Sequence, residues 1–218
     1  MNAPLPKAYT VGYQDFYGRD FTVTPDVLIP RPETEQLIDL VLSLAGKAYL
    51  PGLKAPTRIL PAHPIILDVG TGSGCIATTV ALELPEAKVY ATDISPAALK
   101  IAKLNAKTLA AAINFYQSDL LDNIPVHPDL IIANLPYVDE TWDWLDQKAL
   151  SHEPALALYA GDHGLALIKK LLDQATDLLI PRLILEADPC QHNSIIQYAN
   201  KKGFKLIEAR GFALYLSL

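Results

Sequence analysis

The chain has 218 residues, half of them apolar and 19% charged, with a formal net charge of −6. That length holds one sizeable core, and no run approaches the ~18 uninterrupted apolar residues of a membrane span. The acidic balance argues against a large nucleic-acid footprint, which needs a basic face. Two distant cysteines, Cys75 and Cys190, argue against a disulfide framework or a Cys-rich metal site and make a reducing cytoplasm the default. Met1 to Lys7 contain no apolar h-region, so no secretory signal is visible.

Tyr9 to Pro30 are rich in Tyr, Phe, Val and Thr, with Gly12 and Gly18 as punctuation, and predict short strands or a hairpin. The string Arg31-Pro32-Glu33-Thr34-Glu35 then opens an amphipathic helix carrying Leu37, Ile38, Val41, Leu42 and Ala45. Pro32 suits the first helical position, and Glu33 and Glu35 suit the positive end of the helix dipole. From Gly46 to Pro64 the prolines and Gly52 predict a loop. The expected organisation is an N-terminal hairpin and helix over 1–45, a Pro-rich linker over 46–64 and a catalytic domain over 65–218.

Strands and helices alternate from Ile65 onward. Strands are expected at Ile65–Val69, Lys88–Asp93, Ile113–Gln117, Leu130–Ala133 and Arg182–Glu186, with a closing pair at Lys205–Glu208 and Phe212–Leu216. Helices are expected at Ser73–Leu84, Pro96–Lys107 (capped by Ser95), Gly164–Leu179 and Gln191–Lys202. The alternation predicts an α/β fold: a mainly parallel seven-stranded sheet with helices on both faces.

Two segments carry chemistry. The loop Asp68-Val69-Gly70-Thr71-Gly72-Ser73-Gly74 follows a strand and opens a helix, which is the context a cofactor loop requires. Asp93 ends the next strand, where a carboxylate can accept ribose hydroxyls. The spacing is Gly-x-Gly-x-Gly, not that of dinucleotide enzymes. It suits S-adenosylmethionine, which has no phosphate. Asp119, after the third strand, is placed to hydrogen-bond an adenine amino group, with Leu120 packing on the ring.

Asn134-Leu135-Pro136-Tyr137 stand at the carboxyl end of the fourth strand. Ligands of open parallel sheets bind outside such ends. The Asn134 side-chain carbonyl and a backbone carbonyl of the turn can each accept one hydrogen of an NH2 group. That arrangement aims the nitrogen lone pair at a methyl donor, while Tyr137 can cover the planar group. Adenine and glutamine both present such a nitrogen, and the tetrapeptide does not separate them. The five histidines show no metal-ligand spacing with carboxylates or Cys, so no metal is expected.

Several strings together resemble one family. Ala8-Tyr9-Thr10-Val11-Gly12, Phe16-Tyr17-Gly18-Arg19-Asp20-Phe21 and Val27-Leu28-Ile29-Pro30-Arg31-Pro32-Glu33-Thr34-Glu35 look like the segment preceding the methyltransferase fold in the PrmC/HemK family. The glycine loop with Cys75-Ile76-Ala77, and Glu153-Pro154-Ala155-Leu156-Ala157-Leu158 with Gly161-Asp162-His163-Gly164-Leu165, resemble later parts of it. The resemblance implies a Rossmann-like class I S-adenosylmethionine-dependent methyltransferase. Its expected reaction is methylation of the glutamine side chain in the Gly-Gly-Gln motif of peptide-chain release factors, with the release factor as partner. By position it assigns Gly70 to Gly74, Asp93, Leu120 and Asn134 to the cofactor and Asn134 to Tyr137 to the glutamine. It sets Arg31, Glu33 and Glu35 near the mouth.

The sequence departs from the family in two places. Leu135 replaces the usual proline and loses the stiffness of a Pro-Pro pair. The N-terminal helical domain of the family has no counterpart in the few residues before Tyr9. Asn-Leu-Pro-Tyr also resembles the corner of ribosomal-RNA adenine dimethyltransferases, so adenine N6-methylation of RNA or DNA is the alternative.

Overall fold

The computed structural model describes residues 5–47, 56–145 and 150–218; Pro51 and Gly52 of the expected linker lie outside them. In chain order the described elements begin with helix α1 (Lys7–Val11), strands β1 (Tyr13–Phe16) and β2 (Arg19–Thr22), and helix α2 (Glu35–Leu44). Then come β3 (Ile65–Val69), α3 (Cys75–Glu83), β4 (Lys88–Asp93), α4 (Pro96–Thr108), β5 (Ile113–Gln117) and β6 (Leu130–Ala133). The C-terminal part adds α5 (Ala155–Leu158), α6 (Ala166–Asp177), β7 (Arg182–Glu186), α7 (His192–Lys201), β8 (Lys205–Arg210) and β9 (Ala213–Ser217).

β3 to β9 form a seven-stranded sheet in the order β5-β4-β3-β6-β7-β9-β8. Its pairings are parallel except those of β9, which runs antiparallel to both β7 and β8. The central strand β6, Leu130–Ala133, is apolar and buried throughout because both of its faces are covered. In β6, Leu130 and Ile132 join the core beneath α2 and α3, while Ile131 and Ala133 join the core with α6 and α7. The fully buried Leu130, Ile131 and Ile132 side chains each stabilise by roughly 1.5–3 kcal/mol.

The chain winds outward from β3 to β5 and returns to β6, so the order reverses between β3 and β6. A crevice forms at such a reversal, outside the carboxyl ends of the strands. The pairs Asp68↔Ile132 and Val69↔Ala133 bring the glycine loop and the Asn134 corner to that point together.

The N-terminal segment packs directly on this sheet. Phe16 and Phe21 are fully buried with Leu37, Ile38 and Ile66. Tyr9 sits in a helical turn, where composition alone predicts strand. Its ring is buried, and its hydroxyl donates to the Val27 carbonyl at 2.6 Å. Gly12 ends that turn at φ 83 and leads into the β1–β2 hairpin. Among the described residues no helix is long and apolar enough to cross a membrane.

Candidate active site

The glycine loop is shaped from beneath by Asp68, which is 1% exposed. Asp68 accepts from the Thr71 hydroxyl at 2.6 Å and from the Ala77 amide at 3.2 Å, folding the loop back into α3. Burial pushes its carboxyl up to about 7. Gly70 and Thr71 both donate to the Thr92 carbonyl at 2.9 Å. The Asp93 oxygens accept from the Gly72 and Ser95 amides, each at 2.9 Å. This fixes the carboxylate and leaves lone pairs for a ligand hydroxyl; burial raises its pKa.

Asn105 ties the loop to the hairpin. Its amide donates to the Ser73 carbonyl at 2.8 Å and the Thr22 carbonyl at 2.9 Å, and accepts from the Thr22 amide at 2.8 Å.

At the corner, Asn134 Nδ2 donates to Thr34 Oγ1 at 3.1 Å. The amide is therefore turned with its NH2 toward the N-terminal segment. Leu135 is 3% exposed and packs against the glycine loop so closely that a Cβ on Gly70 would lie 2.9 Å from Leu135 Cδ2. The Tyr137 carbonyl accepts from Gln191 Nε2 at 2.8 Å, and the same amide reaches the His163 carbonyl at 2.9 Å.

A cavity of ≈ 200 Å³ opens between the loop, the corner and the N-terminal segment. Of the residues expected at the site, Arg31, Gly70, Thr71, Gly72, Ser73, Asp93, Asp119, Leu120, Asn134, Leu135 and Pro136 line it. Four others do not, among them Glu35, whose carboxylate accepts instead from the Tyr17 amide at 2.7 Å. Gly74 faces α4, where a Cβ would lie 2.9 Å from that of Ala102. Glu33 is exposed. Tyr137 turns its hydroxyl to the buried Glu186 carboxyl, at 3.2 Å, which needs a donor. Asp119 keeps one oxygen on Lys170 Nζ at 2.6 Å.

Three residues of the site were not visible as such in sequence. Thr34 lines the cavity and is 2% exposed. Glu186, 1% exposed, closes β7 beside the corner. Burial pushes its carboxyl up to about 7, against the lowering influence of Thr34, Tyr137 and Asn134. Glu153, 8% exposed, accepts from the Ile29 amide at 3.1 Å and pairs with Arg31, closing the N-terminal segment onto the chain that follows the corner. An acid ending an apolar strand was the available signal for Glu186; Glu153 and Thr34 lay inside strings that had another explanation.

Comparison with known proteins gives the family and the fold class. A family model described as methyltransferase small domain matches residues 51–149. A release factor glutamine methyltransferase from Neisseria gonorrhoeae is 39% identical over 208 residues, covering 93% of this chain and 71% of that protein. The chain belongs to the release factor glutamine methyltransferase family. Another member, from Koribacter versatilis, is 46% identical over 179 residues, 81% of this chain. The chain spans 59% of the length of that relative. Among solved structures, the Thermus thermophilus 16S rRNA N2 G1207 methyltransferase, in complex with AdoMet and guanosine, aligns with a TM-score of 0.64 at 16% identity. That alignment covers 94% of this chain and 49% of the other, and it shows the class I methyltransferase fold.

Proposed function

We propose that this chain transfers a methyl group from S-adenosylmethionine to the side-chain amide nitrogen of the glutamine in the Gly-Gly-Gln motif of peptide-chain release factors. The observation that carries the reading is the tethered Asn134. Its Nδ2 is held by Thr34, so its carbonyl oxygen faces the cavity as an acceptor. Family membership supplies the substrate class.

When bound, S-adenosylmethionine supplies an electrophilic methyl group. The residues of the glycine loop fit it: Asp93 offers acceptor lone pairs to a ribose, and Asp119 keeps an oxygen available toward an adenine amino group beside Leu120. Leu120, at φ 51 and 7% exposed, turns the chain into the cavity wall. The related rRNA enzyme holds AdoMet within the same fold.

An amide nitrogen is a poor nucleophile because its lone pair is delocalised. The Asn134 carbonyl and the Leu135 backbone carbonyl can each accept one of its hydrogens and turn the lone pair toward the methyl group. Orientation of this kind supplies as much as ~7–11 kcal/mol. The same two oxygens stabilise positive charge developing on nitrogen. Arg31 and Pro136 wall the approach. In this reading residues 65–218 carry the chemistry, 1–45 form one lip of the site, and 46–64 join them. Two free cysteines accord with action in the cytoplasm.

The test supplies labelled cofactor with either a release factor or ribosomal RNA. Label on the release-factor glutamine is the expected outcome; label in RNA and none in protein overturns the reading.

A further inference from the structure

We propose that Glu186 is a positioning residue for methyl transfer, holding the amide of Asn134, through Thr34, with its carbonyl oxygen facing the cavity. The inference rests on the function proposed above and adds to it a residue outside the glycine loop and the corner.

The register places the residue. Ala133 of β6 pairs with Leu185 of β7, so Asn134 and Glu186 leave the sheet side by side. Glu186 Oε1 accepts from the Tyr137 hydroxyl at 3.2 Å, while Oε2 is buried without a hydrogen-bond partner. Thr34 and Asn134 stand beside this carboxyl and favour its ionised form.

The direction of each hydrogen bond follows from the chemistry of the last acceptor. A carboxylate accepts only. Thr34, buried and already accepting from Asn134 Nδ2, has its own hydrogen to place, and Glu186, one oxygen of which is still open, is the acceptor beside it. Thr34 therefore receives from Asn134, and the Asn134 carbonyl is left to the cavity. Without such a chain the two orientations of a side-chain amide are nearly equivalent in shape. A donor at position 186 lets Thr34 turn its hydrogen toward Asn134. The amide then flips and presents NH2 to a substrate NH2, donor against donor.

A packing role alone does not require the charge, because glutamine fills the same volume. Burying a carboxylate is costly unless its acceptor capacity is used. The groups facing it give it a titration within reach of assay. Burial raises its pKa most, Thr34, Tyr137 and Asn134 lower it, and Glu33, within the turn before α2, raises it. Arg31 and Asp188 act on Tyr137, and Cys75 of α3 feels the Glu186 charge.

The experiment measures kcat and KM between pH 5.5 and 9 for the full chain and for Glu186→Gln, Thr34→Val and Thr34→Ser. Wild-type kcat should fall about tenfold per pH unit on the acid side of a midpoint near 7. Glu186→Gln should lose that limb and run on the order of 10–100-fold slower than wild type above the midpoint, with the two rates converging toward pH 5.5 and KM for the cofactor little changed. Thr34→Val should behave alike, the double variant should be no slower than either, and Thr34→Ser should recover most of the loss. A second readout needs no turnover: the side-chain amide 15N resonance of Asn134 should titrate with the same midpoint and stop doing so in Glu186→Gln. A Glu186→Gln enzyme that keeps its acid limb, or an Asn134 resonance indifferent to position 186, overturns the proposal. Wild-type protein that methylates no release factor overturns the substrate reading instead, and the Asn134 resonance still decides the role of Glu186.

Discussion

Gly164→Ala should cripple turnover from a position that touches no ligand. Gly164 has φ +80, and a Cβ there would lie 2.0 Å from the Tyr137 carbonyl oxygen, 2.7 Å from its carbon and 2.5 Å from Gln191 Nε2. Ordinary contact begins near 3.4 Å, so the Tyr137 carbonyl must retreat by roughly 1.4 Å. That retreat also breaks its bond from Gln191. The left-handed conformation costs about 1–2 kcal/mol for alanine, and the lost buried hydrogen bond adds about 1–3 kcal/mol. A stability loss of ~3 kcal/mol is therefore expected by urea unfolding. Tyr137 is three residues from Asn134, and a displacement of about 1 Å at a reacting centre can cost 10²-fold in kcat. Gly203→Ala is the control: φ is +92 there, but the nearest atom to a Cβ is Leu218 Cδ2 at 3.5 Å. Gly203→Ala should show the strain of about 1–2 kcal/mol alone, with kcat intact. Methyl-transfer kinetics and unfolding on both variants decide the matter. Equal kcat in the two refutes the idea that the Tyr137 backbone sets the geometry of the corner.

Asn134→Ala should abolish turnover while cofactor binding by calorimetry survives, since the glycine loop is untouched; surviving turnover would remove the acceptor role of its carbonyl. Asn105→Ala strips partners from Thr22 N, Thr22 O and Ser73 O. At about 1 kcal/mol each it should cost roughly 3 kcal/mol in urea unfolding and also weaken cofactor affinity; unchanged affinity would separate the hairpin from the loop. Asp68 and Glu186 both have folded pKa values raised to about 7. Their contribution to stability is complete below the ordinary carboxylate range and is lost as pH rises through 7, at roughly 1 kcal/mol per pH unit for each group. Melting temperature should therefore fall between pH 5.5 and 7.5, and the joint variant Asp68→Asn/Glu186→Gln should flatten that slope.

The sheet was legible in sequence because its strands are short, largely apolar runs separated by turn residues or helical periodicity. Ile65–Val69, Lys88–Asp93, Ile113–Gln117, Leu130–Ala133 and Arg182–Glu186 have the same bounds in the structure as in the pattern. Helix α3 begins at Cys75, two residues after the predicted start, because Gly72 to Gly74 are still turning. Helices α1 and α5 hold five and four residues, too few for a periodicity to register. At the site, the loop and the corner could be read because each is contiguous. The partners that orient them could not. Thr34 meets Asn134 across 100 positions, and Ile29 meets Glu153 across 124. His163 shows no sequence pairing with an acid, yet its Nδ1 lies 2.9 Å from Asp139.

The turn Arg31 to Glu35 shows why a single string resisted assignment. Pro32 opens a 3-10 turn, as a helix start requires. Over such a turn successive side chains point in different directions, so its acids and its neighbours serve different ends. Glu35 accepts from the Tyr17 amide at 2.7 Å and anchors the hairpin. Arg31 reaches Glu153 at the mouth, and Thr34 reaches Asn134 inside it. A structural role and a site role are therefore both present, on different residues of one turn. On the proposed reading, the N-terminal segment is part of the catalytic geometry. On that reading the corner supplies the acceptor, and Thr34, bonded to it from 100 positions earlier, aims it.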